Sequence, residues 1–168
     1  MDKLLREIFI PDFCGGDALH IEGLGKLNLI TGKNGVGKTE LLNSLRWKAN
    51  RFTYWRSGEG KFFCWFKGLQ TYGNSVLLIN EFEYGMHHSV QDDLWSDVFK
   101  LSEEKNIQVF ATTHSLDTIR SFTKVAQERE EKDVRLIRLE KYDGEIMTTK
   151  FDLEDLKVSI EELNLDPR

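Results

Sequence analysis

Short apolar runs, each closed by polar or turn-forming residues, set the frame of this chain. "LLREIFI" (4–10) and "ALHIEGLGKLNLI" (18–30) predict strands separated by a loop, "PDFCGGD", punctuated by proline and glycine. "LNLI" runs into "TGKNGVGKTELLNSLRWKAN", a glycine-rich loop that opens a helix. In "SGEGKFFCWFKGLQTYG", Phe62, Trp65, Phe66 and Leu69 recur at helical spacing. "SVLLIN" (75–80) is short and apolar, the pattern of a strand buried in a parallel sheet. Ser89 is placed to cap the helix that follows, with Val90, Leu94, Val98 and Leu101 as its inner stripe and Asp92 and Asp93 in its first turn. "IQVFATT" predicts another buried strand, followed by His114 and a helix from Ser115. "VRLIRLEKYDGEIMTTKF" predicts a hairpin about Asp143-Gly144, and "DLEDLKVSIEEL" a final acidic helix. Strands alternating with helices imply an α/β fold, a mainly parallel sheet with antiparallel additions at its ends.

Composition narrows the class without changing this picture. A chain of 168 residues with 40% hydrophobic residues suits one globular domain, residues 1–168. A net charge of -5 argues against a uniformly nucleic-acid-binding surface, although charge is segregated. Between Arg46 and Lys67 there are six basic residues and one acid, interleaved with Trp47, Phe52, Tyr54 and Trp55. Such a stretch could track a nucleic-acid backbone and stack bases, or form a helical face with aromatic residues in the core and solvated cations. From Gln127 onward acids outnumber bases 13 to 8. Cys14 and Cys64 make no metal or disulfide pattern and are expected as reduced thiols in a cytoplasmic protein. No apolar run approaches the ~20 residues that span a bilayer, and charges inside the N-terminal apolar stretch argue against a signal peptide, so no membrane is implied.

Three features carry chemistry. Gly32-Lys33-Asn34-Gly35-Val36-Gly37-Lys38-Thr39 fits G-x-x-x-x-G-K-[ST] at every fixed position, with a strand before it and a helix after it. Glycines let backbone N–H groups curl around phosphate oxygens, Lys38 neutralises the β- and γ-phosphates, Thr39 ligates Mg²⁺, and the helix N-terminus adds partial positive charge. The expected nucleotide contacts are Gly32, Asn34, Gly35, Val36, Gly37, Lys38, Thr39 and Glu40. Glu81 ends the buried "VLLIN" strand, where a carboxylate can polarise a water for attack on the γ-phosphate. His114 ends the third apolar strand and can hydrogen-bond the same phosphate. His87 and His88, with Glu83 nearby, lack the i, i+4 spacing of helical zinc sites and are expected as a polar loop.

"GKNGVGKTELL", "SGEG", "VLLINEFEYGMHHS" and "VFATTHS" resemble the phosphate loop, signature, Walker B segment and switch histidine of ABC-type ATPases, closest to the AAA-15/AAA-21 type related to OLD, RecF and SMC ATPases. The resemblance implies a P-loop fold, ATP and Mg²⁺ as ligands, Glu81 as general base, His114 as γ-phosphate sensor, and Thr39 with Asn80 on the metal. It also implies a head-to-tail homodimer in which Ser57, Gly58 and Gly60 bind the other subunit's ATP, and a separate effector protein. Three positions depart from the family. Only 17 residues separate Thr39 from Ser57, too few for the usual helical lobe; Asn80 stands where the family has aspartate; Glu59 replaces the second signature glycine. The reading is a minimal ABC-type ATPase of slow turnover, in a DNA-related or defence-related process. The alternatives are a non-hydrolysing switch, a nucleic-acid-binding module that uses ATP to dimerise, and a P-loop kinase, for which no Arg-rich lid follows His114.

Overall fold

The computed structural model describes residues 4–48, the backbone of 52–56, and residues 75–158. A six-stranded sheet runs in the order β4-β5-β6-β3-β7-β8. Its strands are β3 (Leu27–Gly32), β4 (Phe52–Arg56), β5 (Val76–Asn80), β6 (Gln108–Thr112), β7 (Val134–Tyr142) and β8 (Glu145–Phe151). Every neighbouring pair is parallel except β7 and β8. The mainly parallel sheet expected from the sequence is present. β1 (Glu7–Ile10) and β2 (Leu19–Glu22) form a separate antiparallel hairpin. The single run 18–30 therefore breaks in two: Gly23, at φ 69°, and the following loop end β2 before Leu27 begins β3.

Alternation along the strands divides the core. Leu27, Leu29, Leu77, Ile79, Val109, Ala111 and Leu136 face one side. There they meet α2 (Gln91–Lys105), α3 (Leu116–Glu128) and α4 (Leu153–Lys157). Ile30, Val76, Leu78, Phe110, Ile137 and Leu139 face the other side, against the β1–β2 hairpin and Leu41, Leu42 and Leu45 of α1 (Lys38–Lys48). A strand buried on both faces must be apolar throughout, which is why "VLLI" lacks polar alternation. Two buried amides tie the layers. Asn28 Nδ2 donates to Gly25 O and Val109 O at 2.7 and 3.2 Å, and Gln108 accepts from and donates to the Leu5 backbone, both at 2.8 Å.

Several local expectations are corrected. Ser89 does not cap α2: a 3-10 turn, His88–Val90, intervenes, and the His87 side chain accepts from Ser89 N. Val90 is 46% exposed; the buried stripe of α2 is Leu94, Trp95, Val98, Phe99 and Leu101. Phe52–Arg56, within the basic-aromatic stretch weighed as a helical face, is an edge-ward strand parallel to β5. Elsewhere the expectations hold. Asp92 and Asp93 lie in the first turn of α2, and Ser115 caps α3 by accepting from Thr118 N. Asp143, at φ 50°, turns the β7–β8 hairpin. The acidic C-terminal helix opens on a capping box between Asp152 and Asp155. The interval between Thr39 and Ser57 is taken up by the rest of α1 and by β4, apart from residues 49–51. The Phe62–Leu69 helix, Cys64, and Ser57, Gly58, Glu59 and Gly60 lie outside the described residues.

Candidate functional site

The C-terminal ends of β3, β5 and β6 meet at one edge of the sheet, where ligands bind in open α/β folds. β6 lies between β3 and β5, so the segment carrying His114 is placed between the phosphate loop and Glu81. Backbone makes the loop. Gly32 adopts φ 140°, and a Cβ there would lie 2.3 Å from Leu139 O. At Gly37, φ 106°, a Cβ would strike the Cys14 sulfur at 2.8 Å and the Phe13 ring at 3.0 Å. Side chains are thus excluded at both positions by conformation and by space. Lys38 is buried, and its Nζ donates to Gly32 O at 2.7 Å and Lys33 O at 3.0 Å. Burial pushes its ammonium below the usual lysine range, and the carboxylates of Glu83 and Glu81 pull it part of the way back. Thr39 and Glu40 are exposed in the first turn of α1, Val36 is buried, and Asn34 and Gly35 are exposed at the loop's tip.

Side chains make the opposite wall. Asn80 is buried; its Oδ1 accepts from Thr112 Oγ1 at 3.0 Å and lies 3.4 Å from Thr39 Oγ1. Thr112 Oγ1 also accepts from Glu81 N at 2.8 Å, and Thr112 O accepts from Phe82 N at 2.9 Å. The chain turns sharply here: Glu81 has φ 52°, a left-handed conformation that costs a non-glycine residue about 1–2 kcal/mol. Phe82 supplies the compensation. It is fully buried and stacks on Trp95 of α2, with centroids 3.7 Å apart and planes 5° off parallel. With Phe82 anchored, Glu81 and Glu83 on either side stay half-buried at the rim.

Glu83 is the residue that sequence reasoning missed in this role. It accepts from Thr113 Oγ1 at 2.7 Å and from His114 N at 2.9 Å, and its Oε1 lies 2.9 Å from His114 Nδ1. The available signal was the acid–Phe–acid order of Glu81-Phe82-Glu83: a buried aromatic between two acids leaves both carboxylates at one rim. Thr112 was equally hidden, because one threonine in an apolar strand carries no motif. His87 and His88 stand apart, their rings 4.1 Å from each other in the exposed 3-10 turn. Among the described residues, the group of three potential metal ligands is instead Glu7, His20 and Glu22, exposed on the β1–β2 hairpin.

The oxygens of Thr39 and Asn80 suit Mg²⁺, a hard cation that takes hydroxyl and carbonyl oxygen. Both donors are neutral, so the balancing charge must come from a bound phosphate or the rim carboxylates.

Two solved structures share this fold. MJ1267, an ATP-binding cassette of an ABC transporter, is 13% identical and superposes with a TM-score of 0.54, covering 89% of this chain and 90% of that one. CbiO1 from Clostridium perfringens, part of the ABC transporter complex cbiONQ, is 9% identical with a TM-score of 0.54, covering 88% and 89%. The mainly parallel sheet flanked by helices is the fold that these two ATP-binding cassettes have. Residues 57–120 match the family described as "AAA domain, putative AbiEii toxin, Type IV TA system", a span that takes in Asn80, Glu81 and His114 but begins after the phosphate loop. No curated protein matches the chain in sequence. Among the described residues, no helix is long and apolar enough to cross a membrane.

Proposed function

We propose that this chain binds MgATP at the β3–β5–β6 edge, hydrolyses it slowly, and uses the nucleotide to control assembly. The convergence of Lys38, Thr39 and Asn80 with Glu81 on one rim is the observation that carries this reading. Phosphates would lie across the backbone N–H groups of Gly35 to Thr39, with Lys38 as their positioned cation. Thr39 and Asn80 would hold Mg²⁺, which supplies charge neutralisation for phosphoryl transfer when bound. Glu81 would orient and deprotonate the attacking water, and His114 would contact the γ-phosphate. Asn80 Oδ1 accepts hydrogen bonds as an aspartate would but brings no negative charge, hence the slow turnover.

Ser57, Gly58 and Gly60 would complete the site of a second copy, giving a head-to-tail homodimer with ATP at the seam. β4 ends at Arg56 beside Asn80, so the chain enters this segment at the nucleotide edge of the sheet, which supports that assignment. The family's printed description, a putative AbiEii toxin of a Type IV TA system, supports a defence-related role. A cytoplasmic location and a separate effector protein complete the proposal. The basic stretch from Arg46 to Lys67 remains the proposed nucleic-acid contact. A non-hydrolysing ATP switch is the second reading, favoured by the neutral Asn80.

One experiment addresses these points together: ATP turnover and light scattering of the wild type and Glu81→Gln, with and without MgATP. We expect slow turnover in the wild type and a nucleotide-dependent dimer in Glu81→Gln. Binding without any turnover in the wild type would favour the switch. A monomer under all conditions at tens of micromolar protein would overturn the dimer.

A further inference from the structure

Glu83 is engaged at both carboxylate oxygens. Oε2 accepts from Thr113 Oγ1 at 2.7 Å; Oε1 accepts from His114 N at 2.9 Å and faces His114 Nδ1 at 2.9 Å. Thr113 Oγ1 in turn accepts at 3.0 Å from the backbone N–H of Ser115, the cap of α3. The Glu83 side chain is 11% exposed and the His114 side chain 50% exposed, so the carboxylate is enclosed while the ring keeps an open face. Nδ1 lies within hydrogen-bond reach of Oε1, so a proton on Nδ1 has an acceptor waiting, and Nε2 is the nitrogen left to face a ligand.

We propose that Glu83 is a positioning residue that holds His114 with Nδ1 protonated, so that recognition of a γ-phosphate at Nε2 takes one proton from solvent. This inference rests on the nucleotide-binding reading above. A neutral ring with Nδ1–H has a lone pair at Nε2 and repels a phosphate oxygen. Only the doubly protonated ring donates at both nitrogens, to Glu83 on one side and to phosphate on the other. The carboxylate balances the charge that the added proton brings. ADP lacks the group that meets Nε2, so its binding leaves the ring's proton count unchanged. The charge-bearing groups around the ring are Glu83 from the loop after β5, His88 from the 3-10 turn and Asp117 from α3, which line the same groove. Asp117 faces Arg120 at 3.9 Å, and the His88 ring lies against His87. Lys38 approaches from α1, within the influence of Glu83 and Glu81.

The test is calorimetry on the full chain with Mg²⁺ and either AMP-PNP or ADP. Buffers of different ionisation enthalpy are used at a pH about one unit above the ordinary imidazole value. His114→Asn supplies the baseline contributed by the phosphates themselves. Above that baseline, we expect net proton uptake with AMP-PNP and close to none with ADP. Glu83→Gln should lose most of the uptake and reduce the preference for AMP-PNP over ADP by about tenfold, the scale of one charge-assisted hydrogen bond. Glu83→Asp should recover part of both. Equal uptake with the two nucleotides overturns this inference and leaves nucleotide binding intact, and it does so on the wild type alone, whether or not the variants fold. Uptake and preference unchanged in a folded Glu83→Gln overturn the role of Glu83. Failure of both nucleotides to bind overturns the nucleotide-binding reading and this inference with it.

Discussion

From Gly32 to Gly37 the site is made of backbone; Lys38, Thr39 and the stretch from Asn80 to Ser115 bring side chains to it. The first stretch works because conformation excludes side chains, at Gly32 and Gly37 above all. Its groups are set by local geometry and by the start of α1. The second stretch is a relay: Thr39 to Asn80, Asn80 to Thr112, Thr112 to Glu81, and then Glu83 to Thr113 and His114. Its members come from separate strands and depend on the sheet to bring them together. Backbone sites tolerate neighbours but not Cβ atoms, whereas side-chain relays tolerate backbone variation but not the loss of one partner. The left-handed Glu81 shows how far the second design leans on packing, because it is the Phe82–Trp95 stack that holds the turn.

The largest effect should come from removing that anchor. Phe82→Ala is expected to cost about 3–5 kcal/mol of stability, read by urea unfolding, because it vacates a fully buried ring position. A loss under about 1 kcal/mol would mean that the turn at Glu81 is held by its hydrogen bonds alone. Next, Lys38→Ala should remove most of the MgATP-induced rise in unfolding temperature while leaving the fold in place. An undiminished ligand-induced rise would show that the backbone loop binds without its cation. Asn80→Asp should raise hydrolysis about tenfold, equivalent to ~1.4 kcal/mol in barrier, and lower the Mg²⁺ needed for it. ATP binding with hydrolysis still undetectable in Asn80→Asp would place the chain among switches.

The smallest effect belongs to a control away from the site. The Lys124 ammonium at 2.6 Å and the Ser121 hydroxyl hold the Asp92 carboxyl below the usual aspartate range. With the folded value depressed, the stabilisation is present above the ordinary aspartate range and fades as pH falls through the folded value. Asp92 is 42% exposed, so solvent screens the pair. Asp92→Asn should lower the unfolding temperature slightly at neutral pH and converge with the wild type in acid. A constant difference across pH would assign the effect to helix-terminus or packing changes instead.

The glycine-rich loop opening a helix, the buried strands β5 and β6, the β7–β8 hairpin and the start of α3 at Ser115 were legible in the residues themselves. Each rests on interactions within a few residues: glycine conformation, alternation or unbroken burial, a turn pair, a cap. Where local signals competed, the reading failed. Ser89 resembles a cap, yet the His87 ring takes its backbone N–H. Phe52–Arg56 is a strand because β5 pairs with it residue for residue, an outcome no spacing within the segment encodes. The strand order is likewise tertiary, since β3 finds β6 and β7 rather than its sequence neighbours. So is the pairing of Glu83 with His114 across 31 residues. The sequence determined which groups exist and which backbone conformations they can adopt. Only the folded sheet decided which of those groups meet, because parallel pairing and two-sided burial act between segments far apart in the chain.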